Sequence, residues 1–178
     1  MKGKNTYRDR LKQDLDSLID ALELSDLQKH FLRSRWLDQV LGMEGRADAC
    51  QCRYYALRLV AIIGGVIIPA LVSLNVRGAT VSGEVRRTTF VLSLMVAISL
   101  AVEEFLRFGE RWRHYRRLVE SLKNNGWQFF QLSGPYHSYP SHQEAYPAFA
   151  ARVEEILQGE VEVYITQVMR ERKAKAEE

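Results

Sequence analysis

Glu103 and Glu104 stand where a carboxylate could do the most in this 178-residue chain. They follow directly on an apolar run, Thr88 to Val102 (TTFVLSLMVAISLAV). On a helical wheel Thr89, Ser93, Ala97 and Glu104 fall on one side, a polar line along an otherwise apolar helix. Repeated around the axis of an oligomer, such a line becomes a set of rings, and a carboxylate ring favours cations. A second reading stays open, in which the two glutamates end the helix at an interface and pair with Arg107 or Arg111. In an earlier apolar run, Leu59 to Val76, the residues Ala61, Gly65, Pro69 and Ser73 recur every four positions. Small side chains at that spacing let two helix backbones approach closely. Pro69 also removes the hydrogen bond to Gly65, so a bend there could serve as a gate. The pore-lining or gating candidates are therefore Pro69, Ser73, Thr89, Ser93, Glu103 and Glu104, with Ala61 and Gly65 as helix-packing positions.

Other chemistries find no support in the spacing. His30, His114, His137 and His142 lack the close helical spacing of a zinc pair. Cys50 and Cys52, spaced C-x-C, can neither build a disulfide framework nor complete a zinc site alone; reduced thiols near a membrane surface are the plain reading, with metal binding or acylation as alternatives. There is no glycine-rich phosphate loop, nucleophile elbow or Ser-His-Asp set. The sequence reads as a non-enzyme with no cofactor and no metal. The stretch RFGERWRHYRRL (Arg107 to Leu118) suits anionic lipid. Its aromatics do not argue for nucleic acid, because the arginines cluster beside the apolar runs rather than along a soluble face.

The elements that must hold these residues follow from hydrophobic period and length. Leu59 to Val76 is 18 residues without a charge, about the length that crosses a bilayer core as a helix. The mean hydropathy of −0.23 hides this, because the apolar residues are concentrated and their flanks are charged. The second run is shorter: 15 residues give roughly 22 Å against a core of about 30 Å, so it must extend through Glu103 to Phe108. The fold class expected is all-α, a two-span transmembrane helical hairpin with long cytoplasmic helical extensions and an amphipathic C-terminal helix. One domain covers 1–178. Residues 7–24 form an amphipathic helix carrying Leu11, Leu15, Leu18, Ile19 and Leu22. A helix over 26–76 starts after the Ser25/Gln28 capping box and includes the first span, 59–76. Residues 77–87 form a short external loop. Residues 88–124 form the second span and its stem without a break, stopped by Asn124, Asn125 and Gly126. Residues 127–140 form an aromatic loop with one short extended piece; Trp127, Phe129, Phe130 and Tyr136 there are either a partner surface or core filling. A last helix, 141–173, opens at Ser141 with Glu144.

Lys and Arg near the spans set the expected orientation. Eight arginines flank the pair (Arg46, Arg53 and Arg58 before; Arg107, Arg111, Arg113, Arg116 and Arg117 after), against three in the connection (Arg77, Arg86 and Arg87). Both termini are expected in the cytoplasm of a multi-pass cell-membrane protein. The N-terminus lacks the apolar core of a secretory signal, so the first span is its own insertion signal. No myristoylation or prenylation box is present.

Four stretches carry a family resemblance: RSRWLDQVLGMEGRAD (Arg33 to Asp48), RYYALRLVAIIGGVIIPALVSLN (Arg53 to Asn75), GWQFFQLSGPY (Gly126 to Tyr136) and RVEEILQGEVEVYI (Arg152 to Ile165). Together they resemble a bacterial, largely cyanobacterial, family of uncharacterised two-span proteins, similar to the wider SLATT group (SMODS- and SLOG-associating two-transmembrane proteins). The resemblance covers about residues 30 to 168 and implies a pore-forming membrane effector of nucleotide-linked defence systems, with no catalytic set. The expected function is an oligomeric two-span pore or ion channel whose partners are the lipid bilayer, further copies of itself and possible ions, without nucleic acid. The alternative is a non-conducting membrane scaffold or anchor whose cytoplasmic helices bind a protein. A soluble protein with both runs buried as core helices is disfavoured by the uncharged length of the first.

Overall fold

The computed structural model describes the backbone of residues 2–76 and 83–174 and the side chains of residues 7–73 and 83–159. Among the described residues there is no strand. The helices are α1 (Lys2–Ala21), α2 (Asp26–Phe31), a π-helical turn (Leu32–Leu37), α3 (Asp38–Val76), α4 (Gly83–Leu106), α5 (Phe108–Phe130), a 3₁₀ turn (Gly134–Tyr136) and α6 (His142–Ala174). They fall into two compact units, one of residues 1–45 with 115–178, the other of residues 46–114.

The first unit is an α-helical bundle with an aromatic core. Leu15 and Ile19 of α1, Trp36 and Leu37 of the π turn, Val40 and Met43 of α3, Val119, Leu122 and Phe129 of α5, and Phe149 and Val153 of α6 are all buried. The capping box at Ser25 forms as expected. Its hydroxyl accepts from the Gln28 N–H at 3.4 Å, and its own N–H donates to Gln28 Oε1 at 3.0 Å. The π turn is a departure from the uninterrupted α-helix expected over 26–76. The Asp38 N–H reaches back five residues to the Arg33 carbonyl. Residues five apart lie about 140° apart on an α-helix, yet Leu32 and Leu37 are both buried; the wider turn brings both inward.

The expected stop at Asn124, Asn125 and Gly126 does not occur, and α5 runs on to Phe130. Those residues meet tertiary demands instead. A Cβ at Gly126 would overlap Cζ2 of Trp36, whose indole N–H donates to the Leu122 carbonyl at 3.0 Å. Asn125 is buried and accepts from the Tyr136 hydroxyl at 2.7 Å. The helix ends instead in a Schellman arrangement. Leu132 takes the left-handed position (φ 46°), and the N–H groups of Ser133 and Leu132 bond to the carbonyls of Gln128 and Phe129. Residues 131–140 then hold turns and the 3₁₀ turn, and the expected extended piece is not a strand. Ser141 opens α6 as expected, its hydroxyl accepting from the Glu144 N–H at 3.3 Å.

The second unit is a helical hairpin. Gly64 of α3 faces Val96 of α4 so closely that a Cβ would overlap Val96 Cγ2. Nearer the connection, Leu71 and Val72 line a cleft with Val85, Thr89 and Phe90, so the two helices run antiparallel. Helix α4 begins at Gly83, earlier than the expected 88; residues 77–82 of the expected loop, with Arg77, lie outside the described residues. Its 24 residues span about 36 Å. The helix does not continue unbroken past Val102 into a stem, because Arg107 interrupts it at φ 47°. The Arg107 N–H caps α4 through the Glu103 carbonyl at 2.8 Å, and its own carbonyl accepts from Glu110 and Arg111 to start α5.

Candidate functional site

The two apolar helices expose their hydrophobic side chains. Asp26–Ser73 and Gly83–Leu106 each contain a window long and apolar enough to cross a membrane, and each window is only 6% buried. Leu59, Ile62, Val66, Val72, Phe90, Leu94, Ile98 and Phe105 are all exposed. Outside α3 and α4, Tyr7, Leu27 and Trp127 are the exposed large apolar side chains among the described residues. A core helix of a water-soluble fold would bury such positions, because each large aliphatic side chain gains about 1.5–3 kcal/mol by leaving water.

The polar candidates on the hairpin do not gather on one surface. Thr89 and Ser93 are half-buried and line the cleft of about 240 Å³ with Leu71, Val72 and Arg86. Their hydroxyls donate to the carbonyls one turn back, Thr89 Oγ1 to Val85 and Ser93 Oγ to Thr89, each at 2.8 Å. Pro69 and Ser73 are exposed on α3 and lie outside that lining. Glu104 is exposed and Glu103 half-buried in the last turn of α4. The expected pairing of these glutamates with Arg107 or Arg111 is absent among the described residues; Arg107 meets Glu110 at 3.5 Å instead. Of the small residues, Ala61 is half-buried and Gly65 is exposed, with open space where its Cβ would be. The close helix contact belongs to Gly64, one position from the stripe at Gly65.

The aromatic segment resolves residue by residue. Phe129 and Tyr136 are fully buried, Phe130 is half-buried against the core, and Trp127 is 45% exposed. Phe129 stacks on Phe149 with ring centroids 4.4 Å apart and meets the edge of His142 at 5.5 Å. Desolvation raises the Tyr136 hydroxyl above its usual range, against the hydrogen bond to Asn125 that lowers it.

Sequence reasoning passed over a buried charge in the first unit. Glu44 is only 4% exposed, with Lys123 Nζ at 2.9 Å and Arg116 Nη1 at 3.8 Å from its Oε1, while its Oε2 has no hydrogen-bond partner among the described residues. The signal was present. Glu44 lies four residues after Val40 and seven after Leu37, on the buried face of the helix. At the surface, Arg35 grips Glu154 with two hydrogen bonds of 2.7 and 2.8 Å. That contact lowers the Glu154 carboxyl below its usual range. Among the described residues no group of three or more metal-ligating side chains converges, and Cys50 is buried while Cys52 is exposed.

Residues 38–144 match the model of a family described as a protein of unknown function, DUF4231. The chain belongs to that family. No curated protein and no solved structure matches it. The DUF4231 region opens at the first residue of α3, takes in the whole hairpin and α5, and closes three residues into α6. It therefore holds every residue singled out on the hairpin, together with Glu44 and Lys123.

Proposed function

We propose that this DUF4231 protein is a two-span integral membrane protein that assembles as a homo-oligomer and forms an ion-conducting pore. The observation that carries the membrane part is the exposed apolar surface of α3 and α4. A lipid environment removes its cost, and helices satisfy their own backbone hydrogen bonds there. The excess of arginine beside the spans supports a cytoplasmic placement of both termini. Self-association is supported by Gly65, Pro69 and Ser73, which face away from the hairpin contact. Pro69 leaves the Gly65 carbonyl without its helical donor, and a neighbouring helix could approach closely at that glycine. The SLATT-like resemblance and Glu104, exposed near the end of the span and without an ion pair among the described residues, support conduction.

One observation favours a second reading, the non-conducting anchor: Thr89 and Ser93 face the cleft within the hairpin, and their hydroxyl protons are committed to backbone carbonyls. In that reading exposed Trp127 is part of a partner surface. The two readings separate in purified, reconstituted protein. A pore passes ions across a liposome membrane, and Glu104→Gln changes its cation preference. A bilayer that stays tight across voltage and pH, or a protein that is monomeric in mild detergent, contradicts conduction and leaves the anchor.

A further inference from the structure

We propose that the arginine and aromatic side chains at the Arg53–Arg58 and Arg107–Arg113 end of the hairpin form a binding surface for anionic lipid headgroups; this rests on the membrane reading above. All of these residues belong to the second unit. Tyr54 lies against Gly109, where a Cβ would sit 2.9 Å from its ring. Tyr54, Tyr55 and Trp112 form one cluster, with centroid distances of 5.5, 6.4 and 5.9 Å. The Arg53 guanidinium lies over the Phe108 ring at 5.7 Å. Apart from the neighbours Tyr54 and Tyr55, these contacts join positions more than fifty residues apart, and they bring the arginines of α3 to the same end as those of α5.

Four of the arginines there remain available, Arg107 being engaged with Glu110. Arg53, Arg58, Arg111 and Arg113 are exposed, and none takes a carboxylate partner among the described residues. The nearby acidic groups are Glu110, which Arg107 engages, Asp48, and Glu103 and Glu104 on the span side. Arg58 immediately precedes Leu59, where the uncharged run begins. The collar therefore sits at the depth where Tyr and Trp rings favour the headgroup layer, and a guanidinium can there hold a phosphate by two parallel hydrogen bonds. The three rings pack on one another without space for a cation between them, so the cluster is not a cage for a quaternary ammonium headgroup. Negative charge is the property this surface recognises.

The test uses the full chain reconstituted in phosphatidylcholine bilayers doped with spin-labelled phosphatidylglycerol or spin-labelled phosphatidylcholine. Electron spin resonance then reads the motionally restricted fraction of each lipid. The expected result is at least about fivefold preference for phosphatidylglycerol at low ionic strength, the effect of one arginine near a charged surface. The preference should fall in high salt and approach parity in the Arg58→Gln/Arg111→Gln/Arg113→Gln variant. Equal association of the two lipids with the unaltered protein overturns the proposal while the protein remains in the bilayer. Failure of the protein to enter either bilayer overturns the membrane reading and this proposal with it.

Discussion

At Gly126 a hydrogen stands where any side chain would run into the Trp36 indole. Overpacking a closed core costs about 1–3 kcal/mol, so Gly126→Ala should lower stability by that amount in chemical denaturation, and Gly126→Leu by more. A pairing of Gly126→Ala with Trp36→Phe should cost less than the two separate losses combined, because the clash disappears with the indole. At Glu44 the charge is buried beside Lys123. Removing one partner leaves the other charge stranded, which costs about 3–5 kcal/mol for a buried pair. Lys123→Met should therefore destabilise strongly, and Glu44→Met/Lys123→Met should restore most of the loss in the same measurement. These residues were hard to read from sequence for a physical reason. A glycine that follows two asparagines has the composition of a helix stop, and only the partner indole shows that it is a notch. Glu44 sits in register with an apolar stripe, but its cations lie 72 and 79 positions away and belong to a different helix.

Helices were legible where one face is apolar and the cap is local. The α1 stripe and both Ser-capped starts follow from spacing alone. Two interruptions were not legible, because each depends on packing. The π turn answers the joint burial of Leu32 and Leu37, and Arg107 holds a left-handed conformation that nothing in its side chain demands. In the hairpin, Gly64 and Gly65 make a paired test. Gly64→Leu should disrupt the α3–α4 contact at Val96 and lower the thermal transition of the detergent-solubilised protein. Gly65→Leu meets open space within the chain, so that transition should stay unchanged while the oligomeric fraction in crosslinking falls. The Arg35–Glu154 pair ties the segment before α3 to α6. Its contact lowers the Glu154 carboxyl, so the stability it adds is full above the ordinary value of 4.5 and is lost as pH falls through the lowered one. Both side chains are partly exposed, so the loss is at most about 1 kcal/mol. It should show as a smaller acid-induced decline in Glu154→Gln than in the unaltered chain.

At the scale of the molecule, one unit hides most of its large apolar side chains, with Tyr7, Leu27 and Trp127 exposed among the described residues, and the other displays many of its own. The first closes an aromatic core among described residues of four helices and the π turn. The second leaves Leu59, Ile62, Val66, Phe90, Leu94 and Ile98 exposed. That division was legible in the uncharged run from Leu59 to Val76, since no arrangement of two helices can bury all sides of either one. Membership in DUF4231 fits the hairpin and α5 as the shared portion. The central claim is that lipid covers the displayed surface. Alkaline carbonate extraction of membranes from cells expressing the full chain tests it most directly. The protein should remain in the pellet at pH 11 and move to the supernatant only with detergent. Folded protein in the supernatant without detergent, after ultracentrifugation and before any alkaline treatment, would contradict it.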